Sequence, residues 1–401
     1  MRAARPVLTS TGPIEGRRAV VAAFALHAVV AGSLGPRLPA IKSATSVSDA
    51  GLGVALAAYA AGLFLGTRVA AWPLRRFGSR TTLRAVVPML GLTLIGGALA
   101  DDLRELAAAV FVMGVASGAV DVAMNANAVV VERRAGRPIM SGIHGAWSAA
   151  LLCTSVVAAA AAALDLSPAQ HFGAIALAVA VGSVPLLHGL LDDRGQMVSA
   201  EAPREGTRTP WSAVLPLGVI GFCSFFGEGS AHDWSAVYLR DGLGTTPAVA
   251  VLPFTGFAIG MTASRLLADR LVIRFGAVTV ARVGGLAAAA GLGFGLVVPA
   301  PAASILGFTL FGAGLAPVVP LVFSRGGNVG GGAPALGWVV TISYVGGMLG
   351  PAVIGLAAGA VGLRLALSVV ILLALVIAAL ARWVGAGPIG PINDLPVEWP
   401  G

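Results

Sequence analysis

The side chains that could do chemistry in this 401-residue chain are the few charged groups that interrupt its long apolar stretches. Four acids do so, namely Asp121, Glu228, Asp233 and Asp269. A charge at the centre of a bilayer costs about 2.5–3.5 kcal/mol on insertion scales, so such residues are functional candidates. Asp269 lies at the end of an apolar stretch and needs no such explanation.

Asp121 and His144 are the first candidates for carrying a proton. Asn125 follows Asp121 by one helical turn and lies on the same helix face. The apolar stretches that hold Asp121 and His144 run in opposite directions and place the two residues at a similar depth. We therefore expect the carboxylate and the imidazole to share or relay a proton. The alternative is a hydrogen-bonded cluster that only fastens two helices together.

Glu228 is a further candidate for proton coupling and also for binding a solute. Arg37 is predicted at a similar depth on another helix, so the two charges are expected to interact across the molecule. Such a pair would close an outer gate or hold an anionic or hydroxyl-rich ligand. The alternative for Arg37 is an interfacial side chain that extends to the membrane surface.

Aromatic side chains add candidates for stacking on a ring-shaped solute. Trp147, Trp338 and Tyr344 are predicted deep in the membrane. Trp234 and Tyr238 are predicted near the outer surface, where such residues typically anchor a helix at the interface. The complete set of predicted solute contacts is Arg37, Asn125, Trp147, Glu228, Trp338 and Tyr344.

The composition indicates that membrane-spanning helices position these residues. Hydrophobic residues make up 57% of the chain and charged residues 11%, whereas a soluble domain has roughly a quarter charged residues. A spanning helix needs ~20 predominantly apolar residues. The predicted fold class is an all-α membrane protein with twelve transmembrane helices. They lie near residues 19–41, 50–72, 82–100, 105–131, 138–163, 170–191, 211–239, 247–268, 277–298, 302–323, 334–360 and 362–384.

Other classes of function have little support in the sequence. No P-loop, HExxH or CxxC is present, so we predict no enzyme, no cofactor and no metal. Cys153 and Cys223 lie in apolar stretches, which favours buried thiols over a disulfide. The formal net charge of +8 forms no basic cluster away from the predicted helices, so no nucleic-acid partner is expected.

Basic residues alternate between the two predicted sides of the membrane. One side holds 19 of them and the other 5, a bias that predicts a multi-pass protein of the inner membrane with both termini in the cytoplasm. The larger set is Arg2, Arg5, Arg17, Arg18, Arg75, Arg76, Arg80, Arg84, Arg133, Arg134, Arg137, Arg194, Arg204, Arg208, Arg270, Arg274, Arg282, Arg325 and Arg382. The smaller set is Arg37, Lys42, Arg104, Arg240 and Arg364.

The two halves of the chain share a local pattern. Arg76-Phe77-Gly78 follows the second predicted helix and Arg274-Phe275-Gly276 follows the eighth, an offset of 198 residues (274 minus 76). This offset is close to half the chain and indicates a six-helix repeat. The predicted organisation is an N-terminal bundle over 1–191, a cytoplasmic linker over 192–210, a C-terminal bundle over 211–384 and a disordered tail over 385–401.

The stretch SRLLADRLVIRFG, which begins at Ser264, resembles the loop motif of the major facilitator superfamily. The resemblance implies two pseudo-symmetric six-helix bundles, and it implies that charges in the loops after helices 2 and 8 gate the transporter. The second loop keeps the acid of the motif as Asp269, whereas Ala71 stands at the aligned position of the first. The alternative for the first loop is that its arginines only set topology. The predicted gating residues are Asp269, Arg270, Arg274, Arg75 and Arg76.

Two further strings are similar to the YbjJ-like branch of that superfamily, which is related to the fucose permease group. They are DVAMNAN from Asp121 and EGSAHDWSAVYL from Glu228. The resemblance implies an acid on the fourth helix for proton coupling, a feature that Asp121 matches.

The favoured function is proton-coupled symport of a small polar solute such as a sugar, by a monomer in contact with membrane lipids. Two alternatives stay open. One is a proton-coupled antiporter that exports drugs or metabolites, and the other is a non-transporting sensor or structural membrane protein. The direction in which protons move with the solute distinguishes the first two, and a sensor moves nothing.

Overall fold

The chain folds into apolar helices that are long enough to cross a membrane twelve times. A computed structural model describes residues 13–135, 139–194, 210–329 and 332–385. The α-helices are α1 Pro13–Leu34, α2 Leu38–Ala44, α3 Asp49–Val69, α4 Ala71–Ala98, α5 Leu103–Ala135, α6 Met140–Ala163, α7 Pro168–Leu186, α8 Trp211–Val237, α9 Pro247–Phe275, α10 Ala277–Val297, α11 Pro301–Leu315, α12 Val318–Asn328, α13 Gly332–Val361 and α14 Leu363–Leu380. Helices α1 and α2 together form span 1, α11 and α12 together form span 10, and each remaining helix is one span.

Several of the described spans depart from regular α-helix. Span 1 narrows to a 3-10 turn at Gly35–Arg37, where Pro36 cannot donate a backbone hydrogen bond. Span 10 is interrupted next to Pro317. Span 7 widens into a π-helical turn at Tyr238–Gly242. The first of these breaks matters for the site because it redirects the side chain of Arg37.

The spans pack into two groups, spans 1–6 and spans 7–12. Within the first group the most extensive contact joins spans 2 and 4, and within the second it joins spans 7 and 11, followed by spans 9 and 10 and spans 8 and 10. The two groups meet mainly where span 2 contacts span 11 and where span 5 contacts span 8. A site built between the groups is therefore bordered by residues of both halves.

Glycines at equivalent positions allow the same close helix packing in both halves. A Cβ atom on Gly62 of span 2 would strike the carbonyl oxygen of Phe111 in span 4. A Cβ atom on Gly260 of span 8 would likewise strike that of Thr309 in span 10. Gly62 and Gly260 are separated by the same 198 residues (260 minus 62) as the loop motif. The repeat therefore extends to the packing of helix backbones, as expected where close approach drives association in a membrane.

The glycines of the two RFG motifs share an unusual backbone conformation. Gly78 has φ 77° and ψ 168°, and Gly276 has φ 80° and ψ 152°. This region of φ/ψ space is essentially restricted to glycine. Because Gly78 lies inside helix α4, residues 71–77 form a short helical segment of the loop, and span 3 continues after Gly78.

The first residues of the predicted linker pack against this first loop. Asp193 is buried, and its carboxylate accepts a hydrogen bond from the Ser79 backbone N–H at 2.8 Å, at the point where span 3 resumes. The Arg194 side chain donates to the Phe77 carbonyl at 3.1 Å. Residues 192–194 are thus part of the first bundle, which corrects the predicted start of the linker. Residues 195–209 of the linker and 386–401 of the tail lie outside the described residues.

Candidate transport cavity

A cavity of about 240 Å³ lies between the two halves. Spans 1, 2 and 4 line it from the first half, and spans 7 and 11 line it from the second. Most of its wall is apolar, and the polar side chains that reach it are Tyr59, His232, Asp233 and Tyr344. Of the six predicted solute contacts, only Tyr344 lines this cavity.

An aromatic wall forms one end of the cavity. The ring of Tyr344 on span 11 stacks on Phe225 of span 7, with ring centroids 5.2 Å apart and planes 25° apart. Phe225 also stacks on Phe323 of span 10 at 6.2 Å. These three spans hold the rings nearly parallel, and two of the rings, Phe225 and Tyr344, line the space that a solute would occupy.

A histidine–aspartate pair on span 7 forms the polar part of the lining. His232 Nδ1 lies 2.6 Å from Asp233 Oδ1, and the imidazole packs edge-on against Phe254 at 4.9 Å. The 3-10 turn of span 1 closes over this pair, because a Cβ atom on Gly35 would strike the carbonyl oxygen of His232. The sequence had suggested no role for His232.

A hydrogen-bonded chain connects Tyr59 to three other spans of the first half. Trp147 Nε1 donates to His27 Nδ1 at 3.1 Å, and His27 Nε2 lies 2.8 Å from Ser117 Oγ. The Tyr59 hydroxyl donates to the same Ser117 oxygen at 3.3 Å. Since an indole N–H can only donate, His27 Nδ1 must accept, and the proton of a neutral His27 is on Nε2. Trp147 is therefore not part of the cavity lining, but it is connected through His27 and Ser117 to Tyr59, which is.

Asp121 and Asn125 form the pair that the sequence predicted on one helix face. The Asn125 amide donates to Asp121 Oδ1 at 3.3 Å and to the Asp121 carbonyl at 2.9 Å. Asp121 itself is not among the residues that line the cavity. His144 instead packs its ring against Phe24 at 5.1 Å. Within the described residues no hydrogen bond or ion pair joins His144 to Asp121.

Glu228 faces Arg265 of span 8 rather than Arg37. Arg265 lies 3.9 Å from Glu228 Oε2 and also donates to Ser148 Oγ of span 5 at 2.6 Å. This arginine therefore links an acid of its own half to a hydroxyl of the other half. The Ser224 hydroxyl also donates to Glu228, at 3.3 Å.

The predicted interaction between Arg37 and Glu228 is wrong for this conformation. The 3-10 turn at Gly35–Arg37 directs the guanidinium toward the connection between spans 5 and 6, where it donates to the Leu166 carbonyl. Arg37 is buried, with 4% of its surface exposed. The buried guanidinium of Arg37 therefore contacts the loop between spans 5 and 6 and not Glu228.

The remaining aromatic predictions also need correction. Trp338 packs against Trp211 at 5.3 Å and lies apart from the cavity lining. Trp234 is fully buried and donates to the Pro351 carbonyl at 2.9 Å, so it fastens span 7 to span 11. Tyr238 is buried too, and its hydroxyl donates to the Leu296 carbonyl at 3.4 Å. Trp234 and Tyr238 are packing residues and not interface anchors.

One end of the molecule is closed by direct contact between the halves. Lys42 at the end of span 1 pairs with Asp241 at the end of span 7 and with Asp49 at the start of span 2, each at 2.5 Å. Nearby, a Cβ atom on Gly53 of span 2 would lie 2.8 Å from Gly355 Cα of span 11. Among the described residues, Lys42–Asp241 and Arg265–Ser148 are the polar side-chain contacts between the halves.

Relatives of the chain identify its family. The sequence model of the Major Facilitator Superfamily matches residues 20–329. The chain belongs to this superfamily. It is 34% identical to the uncharacterized transporter y4wD of Sinorhizobium fredii, over 91% of this chain and 97% of the relative. An uncharacterized MFS-type transporter of Yersinia pestis is 33% identical, with 86% and 90% covered. The membrane protein MosC of Rhizobium meliloti is 28% identical, with 90% and 88% covered.

Solved structures of facilitator-superfamily transporters share the fold. The nucleoside transporter NupG matches with a TM-score of 0.68 at 14% identity, over 91% of this chain and 98% of that one. A D-xylose-proton symporter matches with a TM-score of 0.71 at 14% identity, over 91% and 97%. The expected fold class, twelve transmembrane helices of the facilitator type, is confirmed.

The predicted gating residues of this family's loop motif make few contacts here. Arg75, Arg76, Asp269, Arg270 and Arg274 are exposed, and none of them forms an ion pair with another described residue. Arg274 lies over the ring of its neighbour Phe275, at 5.3 Å.

A carboxylate that does not belong to the family's loop motif lies at the loop after span 2. Ala71 stands where the family has an acid, and Asp193 reaches the loop from the end of span 6. Asn127 of span 4 completes the cluster through hydrogen bonds to Ser79 Oγ at 2.8 Å and to the Leu191 carbonyl at 3.0 Å.

Several residues of the site were missed from the sequence. Arg265 was not among the residues singled out from the sequence, although a basic residue in an apolar stretch is as informative as an acid. Lys42 was counted only for topology, although it is the single lysine of the chain. Tyr59 carried no local signal, because a lone tyrosine on an apolar helix face resembles a packing residue.

Proposed function

We propose that this chain is a secondary active transporter that carries a small polar solute together with protons by alternating access. The observation that supports it is the cavity bordered by both halves, with Asp233 in its lining, together with the contact between the halves at Lys42. Alternating access requires that the two halves rock about a solute held between them. The proposed transporter acts as a monomer in contact with membrane lipids.

In this proposal both termini are cytoplasmic and the membrane is the inner one. The end closed by Lys42 is then the outer end, and the conformation faces inward. The bias of 19 basic residues against 5 supports this orientation. Asp269 forms no ion pair with another residue of the described ranges, which is consistent with this orientation, since the family motif is expected to pair in the outward-facing state. A reporter fused after residue 401 tests it: a fluorescent protein should fold and fluoresce, whereas alkaline phosphatase should stay inactive.

The proposed proton carriers are Asp121 and Glu228, with His144 as a third titratable group. Among the described residues, the amide of Asn125 is the only side-chain hydrogen-bond partner of Asp121. Glu228 has a cationic neighbour, Arg265, whose other contact reaches across to span 5. Protonation of Glu228 would weaken its attraction to Arg265, which gives a route from proton binding to movement of one half against the other.

Replacing Asp121 tests proton coupling. Asp121→Asn keeps a hydrogen-bonding side chain but removes the group that binds a proton. We expect it to abolish uptake driven by a pH gradient in proteoliposomes, with sugars and nucleosides as the solute panel, while solute exchange without a gradient continues. Asp101→Asn, the same change in an exposed loop, should transport normally. Normal pH-driven uptake by Asp121→Asn would contradict this role.

Antiport is the second candidate, and the cavity lining favours it. The wall carries aromatic rings and one histidine–aspartate pair but few of the hydrogen-bonding groups that a sugar would engage. Export of an amphipathic metabolite in exchange for protons would suit such a wall. A pH-sensitive dye inside the vesicles distinguishes the two, because protons accompany the solute in symport and oppose it in antiport.

A further inference from the structure

The described lining of the cavity contains an acidic side chain but no lysine or arginine. Asp233 is the only acidic side chain among the lining residues that the structure describes. One of its oxygens is engaged by His232, and the other accepts no hydrogen bond from a described residue. A carboxylate in an apolar cavity is costly unless a cation or strong donors compensate it.

The polar and aromatic parts of the cavity are well separated. Asp233 follows Phe225 by eight residues on span 7, a rise of about 12 Å along the helix. Tyr344 stacks on Phe225 at the far end, so the ring surface and the carboxylate face the same space from opposite ends. The volume of about 240 Å³ is below the ~300–1,000 Å³ of pockets for drug-sized ligands, so one small elongated molecule is expected.

We infer that the cavity binds a small arylalkylamine-like cation, with its ammonium group on Asp233 and its ring against Tyr344 and Phe225. This inference rests on the proposed function, in that it takes the central cavity to be the solute site. His232 positions the carboxylate by engaging Oδ1, and the free oxygen is left for the ligand. Carboxylates and phosphates are disfavoured, because they would meet Asp233, and His232, the basic side chain of the lining, is already engaged by that carboxylate at 2.6 Å.

Three probes that differ in charge test the inference. Tyramine carries a ring and an ammonium group, 4-ethylphenol lacks the amine, and 4-hydroxyphenylacetate carries a carboxylate instead. Binding to the purified full chain in detergent is measured by isothermal titration calorimetry. Because a charge-assisted hydrogen bond contributes ~1.5–3 kcal/mol, we expect tyramine to bind about 10-fold to 100-fold more tightly than 4-ethylphenol. No binding of 4-hydroxyphenylacetate is expected.

Two pairs of variants assign the two ends of the site. Asp233→Asn should reduce tyramine binding to that of 4-ethylphenol and leave 4-ethylphenol binding unchanged, whereas Asp101→Asn should alter neither. Tyr344→Leu should weaken both probes by a similar factor, whereas Tyr344→Phe, which keeps the ring, should retain both. A purely structural role for Asp233 would weaken both probes together.

The outcomes separate this inference from the proposed function. Equal binding of the three probes, tighter binding of 4-hydroxyphenylacetate, or no binding of tyramine at millimolar concentration overturns the inference. Proton-driven flux of an uncharged sugar without tyramine binding would leave the proposed function standing and the inference overturned. Tyramine binding that depends on Asp233, in a protein that moves no protons, would support the inference and contradict the proposed function.

Discussion

At the scale of single residues, Arg265 of span 8 connects the two halves. It lies between Glu228 of its own half and Ser148 of the other, at 3.9 and 2.6 Å. The longer distance exceeds that of a hydrogen bond, so Glu228 and Arg265 interact mainly as charges. In a region of low dielectric such a pair is strongly coupled, because each charge is poorly solvated without the other.

A double-mutant cycle measures this coupling. Arg265→Gln leaves Glu228 without its counter-charge, so we expect a lower apparent unfolding temperature in detergent. Adding Glu228→Gln should recover part of that loss, because the unpaired charge is then absent, with an interaction energy of about 0.5–3 kcal/mol.

The matched control for this cycle combines Arg265→Gln with Asp101→Asn, which removes an acid from an exposed loop. Strictly additive effects for Glu228 and Arg265 would show that the two charges do not interact. Transport by the double variant should lose its dependence on pH at this site if Glu228 carries a proton.

At the scale of elements, the loops after spans 2 and 8 have the same backbone but different surroundings. Gly78 and Gly276 both have positive φ and occupy equivalent positions of the repeat. A Cβ atom on Gly78 would lie 2.7 Å from Asp193 Oδ1, whereas one on Gly276 would meet no atom within 4 Å. The chain after span 6 thus packs on the first loop, where the motif lacks its acid.

Substituting each glycine separates backbone strain from packing. Gly276→Ala should cost about 1–3 kcal/mol, because alanine is strained in this region of φ/ψ space. Gly78→Ala should cost more, since the new methyl group also displaces Asp193 from the Ser79 amide. Thermal unfolding of both variants in detergent, beside Gly97→Ala on a site with open space around it, provides the measurement. Equal losses at Gly78 and Gly276 would mean that Asp193 contributes nothing.

At the scale of the whole molecule, the contacts between the halves are concentrated at one end. Lys42 pairs with acids of both halves, and spans 2 and 11 approach closely at Gly53 and Gly355. Partly exposed ion pairs each contribute ~0.2–1 kcal/mol. The Lys42 contacts therefore bias the equilibrium between conformations but do not lock it.

The single lysine of the chain makes this closure measurable. Asp241→Asn removes the pairing across the halves and keeps Asp49, so the closed state should lose up to about fivefold in relative population. A membrane-impermeant amine reagent applied from the outside should then modify Lys42 faster, and peptide mass spectrometry separates Lys42 from the amino terminus. Asp101→Asn should leave the rate unchanged. An unaltered rate for Asp241→Asn would show that this ion pair does not hold the end closed.

The sequence by itself determined the features that depend on local composition and order. Twelve apolar stretches follow from the need to satisfy backbone hydrogen bonds in lipid. Most spans begin and end within a few residues of the predicted ones, but span 3 begins 11 residues earlier (82 minus 71) and span 8 ends 7 residues later (275 minus 268). The repeat followed from the RFG motifs, because equivalent loops keep equivalent glycines. The pairing of Asp121 with Asn125 also followed, since residues one turn apart on a helix are neighbours whatever surrounds them.

Only the tertiary structure decided which side chains meet across helices. Depth along a helix predicted that Arg37 would face Glu228, but a 3-10 turn rotated Arg37 toward Leu166 and left Glu228 to Arg265. Depth fixes one coordinate of a side chain, whereas contact also requires the rotation of each helix about its axis and its distance from its neighbour. Those two quantities arise from packing between distant parts of the chain, so a lone Tyr59 or Asp233 becomes a cavity residue only once the two halves are assembled.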